Sequence, residues 1–245
     1  MGVAKRNRKD QAMKAKDVMT TTVVTVGPDM PVEEIAQLFL DKQISGAPVV
    51  DSYQNLIGVV SEGDLMRRLE DDDGASSHRS WWLQFVASSE ERAGDYVKVH
   101  GDYAKDVMSR NVHKVGEDAT LGEIARLLEE RRIKRVPVVT DGKLVGIVSR
   151  ANLLRGLAAR KDDGLAPPSV DDQAIRQRVL DDLSNEGWLS HGTLNVIVEN
   201  GVVQLWGYVD SEKERQAMTL VVENVEGVNA VEDHLGYVAP YLRAD

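Results

Sequence analysis

The feature that most constrains this chain is an internal repeat. The segment KDVMTTTVVTVGPDMPVEEIAQLFLDKQISGAPVV begins at Lys16, and KDVMSRNVHKVGEDATLGEIARLLEERRIKRVPVV begins at Lys105, an offset of 89. From Val18 to Val50, 14 of 33 positions are identical to their counterparts at that offset. One residue then drops out, so that LIGVVSEGDL from Leu56 aligns with LVGIVSRANL from Leu144; a surface turn is where such a deletion costs least. A repeat of this period fixes the architecture before any single residue does.

Each copy reads as strand, helix, strand, strand, helix. A short strand is expected at Val23 to Val26, followed by a helix whose apolar residues Ile35, Leu38 and Phe39, or Ile124, Leu127 and Leu128, recur at helical spacing. Pro31 suits a first helical turn, and Thr120 with Glu123 makes a capping box. The apolar runs APVV and LIGVV follow, then a second helix opened by SEGD or SRAN. A unit this small cannot bury both faces of its sheet, so two copies should pack together. The string DVM, an apolar helix, PVVD and GVVSEGDL resembles a CBS domain, and DVM, VPVV and GIVSRANL resembles a second. The tandem is similar to a Bateman module, which implies an adenosine-containing ligand in the cleft between copies and pairing of modules into a homodimer.

Beyond the repeat, DDGLAPPS is a linker, and Ser169 with Asp172 can cap a helix whose stripe is Ile175, Val179 and Leu183. TLNVIVENGVVQLWGYV reads as two strands joined by Asn200-Gly201, the preferred pair for a type I′ turn. Ser211 and Glu214 form a capping box for a helix through Ala217, Leu220 and Val221, and a last strand runs toward Leu235. The pieces GVVQLWGYV from Gly201 and GVNAVEDHL from Gly227 resemble a BON domain, a family that contacts phospholipids or partner proteins. The expected fold is α/β (α+β): paired β-α-β-β-α CBS units followed by a small α-β-β-α-β BON-like domain. Its expected organisation is a basic tail over 1–15, CBS copies over 16–69 and 104–160, an intervening linker helix over 70–103, a linker over 161–169, the BON-like domain over 170–238 and a tail over 239–245. In the linker helix, Trp81, Trp82, Phe85 and Val86 cluster at helical spacing and pack either on their own module or at a dimer contact.

Composition narrows the chemistry. The 245 residues include no cysteine, which removes disulfides, thiolate catalysis and Cys-based metal sites. The five histidines, His78, His100, His113, His191 and His234, lack metal-site spacing. No P-loop or GxGxxG string and no nucleophile–base constellation is visible, so neither an enzyme nor a prosthetic group is expected. The start MGVAKRNRKDQAMKAK lacks an apolar core and no run nears the ~18 apolar residues of a spanning helix, so the expected location is cytoplasmic. The net charge of -10 argues against nucleic acid as a partner, apart from weak, salt-sensitive binding through the basic tail. That acidity is concentrated after Val170, where 5 Lys+Arg face 14 Asp+Glu. An anionic membrane surface is disfavoured for the same reason.

The resemblance implies two unequal nucleotide sites. The first joins Thr20, Thr22 and Val23 to Ser45, Gly46, Ala47, Pro48, Ser61 and Asp64; Ser61 opens a helix whose N–H groups suit a phosphate, and Asp64 can accept both ribose hydroxyls. Ser61 with Asp64 is equally a plain capping box, and Gly46 with Pro48 equally shapes a turn. The second joins Ser109, Asn111 and Val112 to Lys134, Arg135, Val136, Pro137, Ser149, Arg150 and Asn152. There Asn152 replaces the ribose-binding carboxylate while Lys134, Arg135 and Arg150 add cations, which either neutralise phosphates or face solvent. In the BON-like hairpin, alternation places Val203, Leu205 and Val209 on one face and Gln204, Trp206 and Tyr208 on the other. Trp206 and Tyr208 either pack on the CBS module or a sister chain, or bind a protein partner. The expected function is a non-enzymatic sensor that binds AMP, ADP or ATP and couples it to the BON-like domain. The alternative is an adaptor whose CBS pair only dimerises while the BON-like domain recruits a protein or phospholipid.

Overall fold

The computed structural model describes residues 12–72, 101–159, 170–186, 188 and 194–237. The basic tail up to residue 11, the cluster of Trp81, Trp82, Phe85 and Val86, and Ser169 lie outside the described residues. No helix among those described is long and apolar enough to cross a membrane.

The first copy contains α1 (Ala15–Val18), α2 (Val32–Asp41), β1 (Gly46–Val50), β2 (Leu56–Ser61) and α3 (Glu62–Asp72). The second contains α4 (Ala104–Val107), α5 (Leu121–Glu130), β3 (Arg135–Thr140), β4 (Lys143–Ser149) and α6 (Arg150–Ala158). The C-terminal part contains α7 (Val170–Asn185), β5 (Asn195–Glu199), β6 (Val202–Val209), α8 (Glu212–Glu223) and β7 (Ala230–Tyr237). Strands β1 and β2 pair antiparallel, β3 pairs with β4, and β5-β6-β7 form a sheet in which β6 and β7 run parallel. The fold is α+β, as expected.

The strand expected at Val23 to Val26 is reduced to one residue in each copy. Val26 N–H donates to the Pro48 carbonyl and its carbonyl accepts from Val50 N–H; Val115 does the same with Pro137 and Val139. The turn beginning at Gly27, where Met30 N–H returns to the Gly27 carbonyl, ends the pairing at once.

The larger departure from the sequence reading is an exchange of leading segments. The chain divides into two compact units, one of Val24–His113 with Asp141–Leu144, the other of Met1–Val23, Lys114–Thr140 and Val145–Asp245. The first copy's α1 therefore belongs with the second copy, and α4 of the second belongs with the first. Ala15 N–H donates to the Ala119 carbonyl, and Thr20 exchanges backbone bonds with Ile147. In the other unit Ala104 N–H donates to Met30, and Ser109 exchanges bonds with Val59. The DVM motif explains itself here: Asp17 and Asp106 each accept a backbone N–H three residues back, closing the short helix, while Val18, Met19, Val107 and Met108 are buried. Met19 and Met108 enter the cores of the receiving copies, beside Ile124, Leu128 and Val148 in one unit and Ile35, Phe39 and Val60 in the other.

In the C-terminal part Ile175, Val179 and Leu183 of α7 pack with Val203, Leu205 and Val209 of β6, as the alternation predicts. Asn200 and Gly201 have φ of 53° and 74°, the two positive values a type I′ turn needs. Asp172, assigned to the helix cap from sequence, accepts the Gly201 N–H at 2.8 Å and ties the hairpin to α7. Helix α8 buries Met218 and Val222, whereas Leu220 points outward and is 60% exposed.

Candidate functional site

The candidate site in the first copy is built where β2 runs into α3. Pairing of Gly46 with Ser61 brings the approach to β1 alongside the end of β2, and Glu62 N–H donates to the Ser45 carbonyl. A Cβ on Gly46 would lie 2.9 Å from the Val60 carbonyl oxygen, so glycine is needed for the two strands to come this close. Asp64 is buried, and its Oδ2 accepts from Ser61 N–H at 2.9 Å and from Ser61 Oγ at 2.6 Å. Its other oxygen stands 4.0 Å from Arg67 Nη1. This is the return half of a capping box, and it fixes a carboxylate at a helix start with only Oδ2 bonded to Ser61.

Because the leading segments exchange, the residues grouped by sequence are regrouped in space. Ser45, Gly46, Ala47, Pro48, Ser61 and Asp64 share a unit with Ser109, Asn111 and Val112, and Ser109 is bonded to Val59, two residues before Ser61. Thr20, Thr22 and Val23 lie instead in the unit of Lys134, Arg135, Val136, Pro137, Ser149, Arg150 and Asn152. Sequence similarity gives no signal for this, since both copies carry the same motif and either could receive it.

The equivalent position in the second copy is differently occupied. Asn152 Oδ1 accepts from Ser149 N–H at 2.9 Å and from Ser149 Oγ at 2.6 Å, matching Asp64. Its amide nitrogen, however, donates to the Val18 carbonyl at 3.0 Å and to Thr20 Oγ1 at 3.3 Å. Lys134 and Arg150 are exposed, Arg135 is half-buried, and Arg150 N–H reaches the Lys134 carbonyl.

The BON-like sheet meets this same unit. Trp206 is half-buried: it stacks on His234 with centroids 3.9 Å apart, and the Arg155 guanidinium of α6 lies 5.7 Å from its centroid. Half burial lowers the Arg155 pKa, an effect opposed by Tyr208. Of the two aromatics singled out from sequence, Trp206 thus packs against the CBS-like module, and Tyr208 remains 51% exposed. Two residues that sequence reasoning missed anchor the contact. Arg176 of α7 donates to the Val196 carbonyl at 2.9 Å and to the Met19 carbonyl at 2.8 Å, and Asn195 of β5 donates to the Val18 carbonyl at 2.7 Å. Burial pushes the Arg176 guanidinium down to about 10, with Asp17 acting in the opposite direction. The available signal was their position: an arginine one residue after the core position Ile175, and a polar residue within an apolar strand.

A family model described as CBS domain matches residues 15–71 and 104–159, and one described as BON domain matches 171–239. An uncharacterized protein of Methanocaldococcus jannaschii is 32% identical over 162 residues, covering 62% of this chain and 96% of that protein. The chloroplastic CBS domain-containing protein CBSX2 of Arabidopsis thaliana is 33% identical over 135 residues, 53% of this chain and 56% of that protein, so the match spans little more than half of that relative. The crystal structure of CBSX2 in complex with AMP superposes with a TM-score of 0.52 at 32% identity, covering 62% of this chain and 100% of that one.

Proposed function

Since the chain belongs to the CBS-domain family, with two copies of that domain followed by a BON domain, we propose that it is a non-enzymatic sensor whose first copy binds an adenosine nucleotide. The observation that carries this reading is Asp64: its Oδ2 is held by Ser61, which orients Oδ1 to accept ribose hydroxyls. The N–H groups at the start of α3 suit the phosphate. We assign the base to the main chain of Ser45 to Pro48, with Ser109, Asn111 and Val112, the Ala47 side chain itself lying in the core. Complex formation between CBSX2 and AMP supports the choice of ligand class. Coupling to the BON domain requires only that the nucleotide favour one arrangement over another.

A ligand that binds the native state raises the melting temperature. AMP, ADP, ATP, NAD and S-adenosylmethionine at millimolar concentration are the screen: at least one is expected to shift the transition, and Asp64→Ala is expected to abolish the shift. No shift with any of them overturns the reading. Pairing of two chains through the CBS module is part of it. Leu154 and Leu157 of α6 are each 66% exposed, and this reading assigns them to the pairing surface. Light scattering is expected to give a dimer, and Leu154→Glu with Leu157→Glu a monomer.

A further inference from the structure

Three side chains from three elements converge on two consecutive carbonyls of the first copy's leading segment. Asn152 of α6 and Asn195 of β5 both donate to the Val18 carbonyl, and Arg176 of α7 donates to that of Met19. All three are buried, at 3%, 1% and 8% exposure. A carbonyl oxygen has two lone pairs, and the Val18 oxygen receives one amide from the CBS copy and one from the BON domain. Asn195 Oδ1 has no hydrogen-bond partner, a cost set against what the side chain gains by donating. Gln173 of α7 adds a bond to Asp17 Oδ1 at 3.1 Å. Asn152 is meanwhile fully committed, with Oδ1 on Ser149 and its amide protons on Val18 and Thr20.

We propose that this constellation is a latch by which the BON domain closes the second copy's pocket to a ribose. To meet a ribose hydroxyl, the Asn152 side chain must abandon Val18 and Thr20. The Val18 and Met19 carbonyls of that same segment are held from the other side by Asn195 and Arg176, so the coupling proposed is that freeing Asn152 lets this segment shift and loosens the BON domain with it. While latched, the chain takes one nucleotide, at Asp64. When a ligand engages the second pocket, the BON domain is released. By linkage, release of the BON domain raises affinity there. The ligand part rests on the nucleotide reading proposed above, whereas the latch stands on geometry alone.

Two measurements on the full chain separate them. In hydrogen exchange without nucleotide, Asn152→Ala leaves every BON residue intact, yet it is expected to speed exchange in Asn195 to Val198 by about tenfold or more. Arg176→Met is expected to do the same at Met19 and Thr20, whose N–H groups bond Ala15 and Ile147. Faster exchange confined to each variant's own domain overturns the latch, and the Asn152 variant decides the matter should Arg176→Met fail to fold. In AMP calorimetry the native chain is expected to bind one AMP, Asp64→Ala none, and Arg176→Met a second. Two AMP per native chain, or AMP retained by Asp64→Ala, overturns the closed pocket. No AMP bound by any of them overturns the nucleotide reading instead and leaves the latch to the exchange result.

Discussion

A Cβ added to Gly58 would lie 2.9 Å from Met108 Cγ, and one added to Gly146 would lie 2.9 Å from Met19 Cγ. The glycine of GVVS or GIVS and the methionine of DVM are thus partners, each copy's methionine fitting the glycine of the copy that receives its segment. Overpacking a buried site typically costs about 1–3 kcal/mol. Gly58→Ala and Gly146→Ala are therefore each expected to destabilise by that amount in urea titrations, and each should couple non-additively to Met108→Ala and Met19→Ala respectively. The motif residues were plain in the sequence as a repeated pattern, but their pairing was not, because DVM is separated by many residues from GVVS in the first copy and from GIVS in the second. Asn152 shows the same limit. Its departure from Asp64 was legible, whereas the Val18 carbonyl that absorbs its amide was not.

The elements divide according to how local their causes are. Helix α5 carries its own start signal, and Thr120 and Glu123 form the capping box that the sequence announces. The Asn200-Gly201 turn is likewise local, since only residues tolerant of positive φ suit it. Strand β5 is the opposite case. Val196 and Val198 face the BON core, but Asn195 and Ile197, 1% and 0% exposed, are buried too, Asn195 through its bond to Val18. Periodicity cannot say what covers a second face. The two short helices allow a direct test, since Asp17 and Asp106 cap identical AKDV segments, but Asp17 also accepts from Gln173. Asp106→Ala is expected to cost about 1 kcal/mol, the usual worth of a cap. Asp17→Ala should cost measurably more, because it also strips a buried partner from the BON helix.

For the whole molecule, the BON domain belongs to the unit built on the second copy, and Arg176 is the side chain whose loss should reveal it. Arg176→Met leaves the Val196 and Met19 carbonyls buried without their donor, each worth about 1–3 kcal/mol. Calorimetry is expected to show a lowered transition for that unit and an unchanged one for the unit of the first copy. The sequence by itself determined the two copies, the third domain, the helical stripes and the turn chemistry, because repeat, period and capping act over a few residues. Which copy receives which leading segment, and where the BON domain docks, was decided only by the tertiary structure. Two copies that carry the same leading motif offer similar seats, and buried contacts such as Arg176 to Met19, 157 residues apart, leave no periodic trace in the chain.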